Sequence, residues 1–298
     1  MKVVYTIYQK NLGTYTDFYL VVNKAVAGGE PVTVTYGFEE GMESVATTTT
    51  PDGVAYMHRA TFAGVYAREM GDVFEATLYA IGADGNIYYS NTNASSMKSY
   101  LTGKIDAESS IDELKTMCVD MLNYGAAAQL HFAYDTENLV NADLTDAQKA
   151  YATSELPEAV NSSATSGEGV ALRTSVSVKE KVYLNLTATY TAEDASALKV
   201  VICDMDGNVI AELPVTVKNN ALCQASYGEV GAKQMRKLLT ATLYEGDKAV
   251  SNTITWSVES YVAATRANGN AAATQINMVN AMLTYGDAVA AYMTASGQ

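Results

Sequence analysis

The chain reads as mainly β with helices: two tandem β-sandwich-like (Ig-like) domains, each ending in an amphipathic α-helix. Three observations predict this. Short phrases recur in fixed order at a near-constant spacing, period-2 hydrophobic alternation fills most of each recurrence, and each recurrence closes on a long stretch with apolar residues every three or four positions.

The recurrence is read directly. ATLY at 76–79 returns at 241–244, SNT at 90–92 returns at 251–253, SY at 99–100 returns at 260–261, and MLNYG at 121–125 returns as MLTYG at 282–286. The spacing is 165 residues at the first match and 161 at the others, so the second copy is shorter between ATLY and SNT. A hairpin loop belongs there, and surface loops tolerate such shortening.

The strands follow from alternation. In PVTVTYGF, Val32, Val34, Tyr36 and Phe38 share one side; in KVYLNLTATY, Val182, Leu184, Leu186 and Ala188 do the same, the pattern of a half-buried strand. ATLYAIGADGNIYYS reads as two strands joined at Asp84-Gly85, and LKVVICDMDGNVIAELPVTV as two joined at Asp206-Gly207, because Asp-Gly tolerates the positive φ of a tight hairpin.

One helix is expected per copy, at 112–133 and 272–294. Leu114, Cys118, Met121, Leu122, Gly125 and Ala128 form an apolar stripe in the first, and Ile276, Val279, Met282, Leu283, Gly286 and Val289 fill the same register in the second. Ser110 is the expected N-cap of the first, with Asp112 and Glu113 where the helix dipole favours negative charge. Tyr124-Gly125 and Tyr285-Gly286 repeat in mid-helix, where Gly costs about 1 kcal/mol relative to Ala. Both copies accept that cost at one place, which predicts close approach of the helix backbone to a sheet, with the tyrosine at the sheet's edge. The predicted organisation is therefore a first domain over 1–135, a connection over 136–166 with a short helix capped by Thr145, and a second domain over 167–298.

Composition bounds the function classes. Thirty-three acidic against 19 basic residues leave a net charge of −14, which repels nucleic acid and anionic membrane. No segment approaches a membrane-spanning length, so no membrane insertion is expected. The opening residues lack the apolar run of a secretion signal, so a secreted protein of this kind would be a mature form or an excised fragment. Charged residues are only 17% of the chain, and Tyr is used 21 times against five Phe and one Trp, a balance suited to β-rich extracellular proteins. Cys118, Cys203 and Cys223 are too few for a disulfide framework. Cys203 with Cys223 is the one candidate pair, set against two small buried thiols.

The end of each copy resembles a recurrent element of large secreted or wall-attached surface proteins of gut-dwelling Firmicutes, the LLNYGAAAQ-type repeat domains. The resemblance rests on MLNYGAAAQLHFAYDTENLVNADL, preceded by SSMKSY (95–100), with WSVESY (256–261) in the matching place of the second copy; both are read as strand ends. It implies an extracellular or wall-attached location, and no chemistry. The second copy departs from the pattern in carrying Asp287 in place of an Ala and in lacking the tail.

Chemistry-bearing constellations are sparse. His58 and His131 are the two histidines, and neither has a His or Cys three or four residues on, so neither metal nor cofactor is expected. There is no G-x-S-x-G elbow and no phosphate-binding GK[ST] loop. Glu39, Glu40 and Glu43 offer carboxylates for glycoside hydrolysis, but they stand in Gly, Thr and Ser sequence that reads as a solvated loop. CDMDGN (203–208) has the alternating oxygens of a calcium loop without its terminal Glu, and a hairpin turn accounts for it. Tyr88 and Tyr89 in NIYYS are the candidate ligand contacts, as a sugar-stacking platform, against ordinary cross-strand packing. The expectation is a non-enzymatic extracellular module, either a spacer or an adhesive or self-assembling unit, whose protein or glycan partner the residues leave open. A carbohydrate-binding module and an unrecognised hydrolase stand as alternatives.

Overall fold

The computed structural model describes residues 1–8, 15, 17–50 and 53–297. Among these the chain is mainly β, with 37% strand against 28% helix, arranged as antiparallel sheets and five helices. In the first half, β1 (Lys2–Tyr8), β4 (Met42–Thr50) and β5 (Gly53–Ala63) form a sheet of order β1-β5-β4. A second sheet runs β3-β2-β6-β7, from β2 (Asp17–Lys24), β3 (Val32–Gly37), β6 (Phe74–Ile81) and β7 (Ile87–Tyr89), and β8 (Asn93–Ser95) also pairs with β6. Alternation turns Leu20, Val22, Phe74 and Ala76 of one sheet onto Ala60 and Phe62 of the other, and this apolar layer holds the two together.

The second half repeats the plan with additions. One sheet has the order β10-β11-β15-β14, from β10 (Arg173–Val178), β11 (Val182–Thr189), β14 (Thr216–Lys218) and β15 (Leu222–Tyr227). The other runs β13-β12-β16-β18-β9, from β9 (Ala164–Ser166), β12 (Leu198–Cys203), β13 (Val209–Pro214), β16 (Leu239–Glu245) and β18 (Thr253–Trp256), with β17 (Lys248–Ala249) on β16. Val182, Leu184, Leu186 and Ala188 of β11 are all buried, as the alternation requires. Gly85 and Gly207 stand at φ +79° and +84° in their turns, the positive values for which Asp-Gly was read.

Pairing extends the duplication beyond what the short phrases reveal. Phe62 of β5 lies opposite Val3 of β1, and Tyr227 of β15 opposite Leu184 of β11. RATFAGVYAREM at 59–70 thereby lies over QASYGEVGAKQM at 224–235 at the same 165-residue spacing. Both end in a short 3-10 turn, Ala67–Glu69 and Ala232–Gln234, each followed by a buried methionine, Met70 and Met235.

Two helices, not one, follow the strands of each copy. SSMKSY and WSVESY are not strand ends: they open α1 (Met97–Asp106) and α4 (Val258–Ala267), capped by Ser96 and Ser257, whose hydroxyls accept the backbone N–H of Ser99 and Ser260. The long helices are α2 (Asp112–Phe132) and α5 (Ala273–Ala295). Ile111, not Ser110, occupies the N-cap of α2 and makes no side-chain cap, while Asp112 and Glu113 do fall in its first turn. The connection contains α3 (Asp146–Lys149), with Thr145 and Gln148 bonding reciprocally across its first turn.

That connection is packed, not a free linker. Val140 and Leu144 are buried, Thr153 bonds Asp120 of α2, and the carbonyls of Pro157 and Glu158 accept from Arg266 and Arg236 of the second copy. Its last residues, 164–166, form β9 and already belong to the second copy's sheet. The largest core runs without interruption from Met70, Leu101 and Leu122 through Met282 and Leu283 to Leu184 and Trp256, so the two copies share apolar packing through their helices.

Candidate functional site

The repeated Tyr-Gly lies where α2 meets α5. The helices run antiparallel, since His131 near the end of α2 reaches Thr274 at the start of α5 (3.4 Å). Tyr124 and Tyr285 stack across this contact with centroids 6.1 Å apart and planes 13° apart. Equivalent residues meeting each other mark a local two-fold relation between the copies. Burial raises the pKa of both phenols, that of Tyr285 to about 12.

The glycines face the other way, onto the 3-10 turns. A Cβ on Gly125 would stand 2.8 Å from Met70 Sδ, 2.9 Å from Val140 Cγ2 and 3.3 Å from the Ala67 carbonyl oxygen; on Gly286 it would stand 2.7 Å from Met235 Sδ and 3.1 Å from the Ala232 oxygen. The close approach read from sequence is therefore to a 3-10 turn and not to a sheet, and the tyrosine packs on its own repeat and not at a sheet edge. Both glycines serve this packing, and the rims of Tyr124 and Tyr285 also line a cleft of about 270 Å³ with Ala67 and Met235.

The differences between the copies around this motif are also used internally. Arg236 grips Asp287 in a bidentate pair at 2.7 and 2.8 Å and also contacts Glu259. Asn123 accepts from Asn141 (2.9 Å), and Thr284 donates to the Asn280 carbonyl (3.0 Å).

The tyrosines of NIYYS do not form one platform, because neighbours along a strand point to opposite faces. Tyr88 turns toward Tyr15 (5.5 Å) and donates to Asp84 (2.9 Å), whose carboxylate also takes the Asn86 backbone and side chain; those bonds hold Asp84 below the usual carboxylate range. Tyr89 joins a different group. Register places Tyr19 opposite Tyr79 and Tyr79 opposite Tyr89, across three adjacent strands on the face away from the core. Tyr19 and Tyr79 stack at 5.1 Å and 6°, and Tyr79 and Tyr89 lie 6.2 Å apart at 43°. Tyr89 is 76% exposed. The row presents flat apolar rings with wet hydroxyls, the surface on which the apolar face of a pyranose stacks. In the second copy the matching row is Lys199, Tyr244 and Ala249, with Lys199 paired to Glu212. Tyr19 and Tyr79 sit in separate phrases of the sequence, so only the register could join them to Tyr89.

The remaining sequence candidates fall into structural roles. His58 is a core residue, 3% exposed, bonded to Ser44 (3.0 Å) and packed on Phe18 and Phe38, and burial lowers its pKa. Glu39 and Glu40 are exposed in a turn. Glu43 is exposed on β4, a strand where a loop was read, and Pro51 and Asp52 lie outside the described residues. In CDMDGN, Asp204 accepts from the backbone of Asp206 and Asn208 and from the Asn208 side chain, so its oxygens close the turn. Cys118, Cys203 and Cys223 are free thiols, and Cys203 and Cys223 lie in different sheets rather than on neighbouring strands. Among the described residues no cluster of His, Cys, Asp or Glu is placed to hold a metal ion, and no helix is long and apolar enough to cross a membrane.

One buried polar group was invisible in the sequence. Lys24 bonds Glu69 (2.5 Å) and pairs with Asp72 (3.3 Å), and Tyr134, just past the end of α2, donates to both oxygens of Asp72 while accepting from Ala27 N (3.1 Å). Burial raises the pKa of Asp72 despite the Tyr134 and Lys24 contacts. Every polar atom named here has a partner, so the group ties the end of α2 to the first copy's strands. No protein-family model matches the chain, and no curated protein is similar to it in sequence.

Proposed function

We propose that the chain is a non-enzymatic structural module of a bacterial surface protein, a rigid two-copy spacer or adhesive unit built from two Ig-like sandwiches. The observation that carries this reading is the α2–α5 contact. It buries the most strongly repeated phrase of the sequence against its own second copy and makes one body of the pair. A repeated phrase spent on packing is what a load-bearing spacer requires and what a catalytic repeat does not. The low charge content, the tyrosine-rich strands and the resemblance to wall-attached repeat domains support an extracellular location. Fractionation of the cells that naturally make the protein, with antibody to this chain, tests it: the expected signal is on intact cells or in the wall and medium. Antigen confined to the cytoplasm overturns the reading.

The row Tyr19, Tyr79 and Tyr89 favours a second reading, carbohydrate binding by the outer face of the first copy. Soluble polysaccharides in an affinity gel should then retard the wild type and not Tyr79→Ala or Tyr89→Ala. A broad glycan panel without retention removes this reading and leaves the first standing.

A further inference from the structure

Three ionisable groups meet in the first copy where strand alternation calls for an apolar residue. On β2, Phe18, Leu20 and Val22 turn onto the core, and Lys24 takes the next inward position. Glu69 closes the 3-10 turn, its Oε2 accepting from Tyr66 N (3.1 Å), and Asp72 stands just beyond. Ala25 N donates to the Val73 carbonyl (2.8 Å), which holds the end of β2 against this segment. The side chains of Lys24, Glu69 and Asp72 are 6%, 9% and 6% exposed. One amine thus shares a dry site with two carboxyls, and ionised groups are costly to keep in such a place. Burial raises the pKa of Asp72, which favours its neutral acid.

The contacts divide the group into chemical roles. Lys24 Nζ reaches Glu69 Oε2 at 2.5 Å, a base for the ammonium proton, and Asp72 Oδ2 at 3.3 Å, on the carboxyl that a freed amine would attack. Tyr134 Oη donates to Asp72 Oδ1 (2.9 Å) and Oδ2 (2.8 Å), the atoms on which negative charge develops when that carboxyl carbon is attacked. A nucleophile on its base, an electrophile beside the nucleophile and a donor on the electrophile's oxygens make up an acyl-transfer site. An ion pair alone would need one carboxylate, and this site has two and a phenol. The second copy keeps none of it. Register puts Asp204 in the place of Lys24, and the repeat spacing puts Gln234, Lys237 and Ala295 in the places of Glu69, Asp72 and Tyr134. Amine and carboxyl have changed sides there, Gln234 is no base, and Gln234 and Lys237 are exposed.

We propose that Lys24 and Asp72 condense to an intramolecular amide, a cross-link from β2 to the segment that leads into β6, in a single turnover that the chain performs on itself. Glu69 takes a proton from the Nζ ammonium, and the freed electron pair attacks Cγ of the Asp72 acid to form the N–C bond. The resulting oxyanion lies against the Tyr134 hydroxyl. As it collapses, the C–O bond to the acid's hydroxyl breaks; Glu69 passes its proton to that hydroxyl and takes the second amine proton, so one water leaves. Ammonium, carboxylate and acid become amide and Glu69 acid, with the net charge of the site unchanged. No oxidant or cofactor enters. Removing two ionised groups from a dry site favours the product. The cross-link is internal to the first copy, so the inference goes beyond the surface-module reading and does not depend on it.

Intact-mass spectrometry of the whole chain, folded and then denatured, tests it. The expected mass is lower than that of the sequence by one water, and protease digestion should release one branched peptide joining Lys24 to Asp72. Lys24→Arg and Glu69→Gln should restore the full mass while circular dichroism retains the strand signal. Tyr134→Phe keeps the ring and should still cross-link, about a hundredfold more slowly in chain followed from its synthesis, the order expected for one lost oxyanion donor. The full mass in folded wild type overturns the proposal and leaves a buried ion pair only. A missing water that persists in Lys24→Arg overturns it as well, as does one that maps to the Asp84-Gly85 or Asp206-Gly207 turn, where dehydration to a succinimide gives the same mass. The wild-type mass and the branched peptide decide the matter without any variant, so a variant that misfolds leaves the test intact.

Discussion

At Gly125 and Gly286 the helix gives up propensity for contact. Alanine there would gain about 1 kcal/mol of helix propensity but would press on Met70 or Met235 and on a backbone carbonyl that cannot move alone. Overpacking costs about 1–3 kcal/mol, so Gly125→Ala should lower the midpoint of thermal unfolding; an unchanged or raised midpoint would show that the methionine swings away freely. Other residues changed together between the copies. Gly71 and Ala126 of the first correspond to Arg236 and Asp287 of the second, a tight apolar contact beside Val140 replaced by an ion pair. Lys24 and Asp72 correspond to Asp204 and Lys237, with the charges exchanged. Asp204 is held below the usual carboxylate range chiefly by Asn208 and in smaller part by Lys237. Asp120 behaves oppositely, because burial raises its pKa although Thr153 donates to it twice. A carboxyl whose folded pKa lies above its unfolded value stabilises the fold below the unfolded value, near 3.9, and loses that contribution as pH rises through the folded pKa. Asp120→Asn should therefore gain stability relative to wild type as pH rises through that window and hold the gain above it. Unfolding midpoints by circular dichroism across pH check this, and a gain that shrinks with rising pH contradicts it.

Strands were more legible than helices. Alternation located β3, β11 and the hairpins of β6–β7 and β12–β13, because a sheet with one dry face imposes period 2 on its residues. The α1 and α4 helices escaped because SSMKSY and WSVESY continue a strand-like run and carry Ser, not Glu or Gln, three residues after the cap. Their serine caps became evident only as bonds, 3.0 Å in both copies, and the return bond from the capping residue's own N–H is made only in the first, by Ser96 to Ser99 Oγ. The two caps differ in burial, since Ser257 is 1% exposed and Ser96 is half-buried. Ser257→Ala should cost about 1–2 kcal/mol, the upper part of the usual cap range, and Ser96→Ala about 0.5–1 kcal/mol. Denaturant midpoints measure both, and equal costs would remove burial as the cause. The β4 strand was missed for a different reason: MESVATTTT has little apolar alternation, and its strand character comes from pairing with β5.

For the whole molecule the α2–α5 contact decides cooperativity. A continuous core across both copies predicts that they unfold in a single transition. Replacing Tyr124 and Tyr285 singly and together by Ala should give a coupling energy of about 0.5–1.5 kcal/mol in a double-mutant cycle, the worth of an aromatic pair beyond its buried area. The double variant should broaden unfolding or split it into two transitions by calorimetry. Additive single effects with unfolding still sharp would mean that the connection, and not the helix pair, couples the copies. The sequence by itself determined that the chain is a duplication, mainly β, with Asp-Gly hairpins and a repeated helical phrase, because these features are written in local order and period. Tertiary structure alone decided that the repeated tyrosines meet each other, that Tyr89 belongs with Tyr19 and Tyr79, and that Lys24, Glu69 and Asp72 come together beside Tyr134. The physical reason is that strand register and helix pairing join residues far apart in the chain, and no local pattern records which of them will face one another.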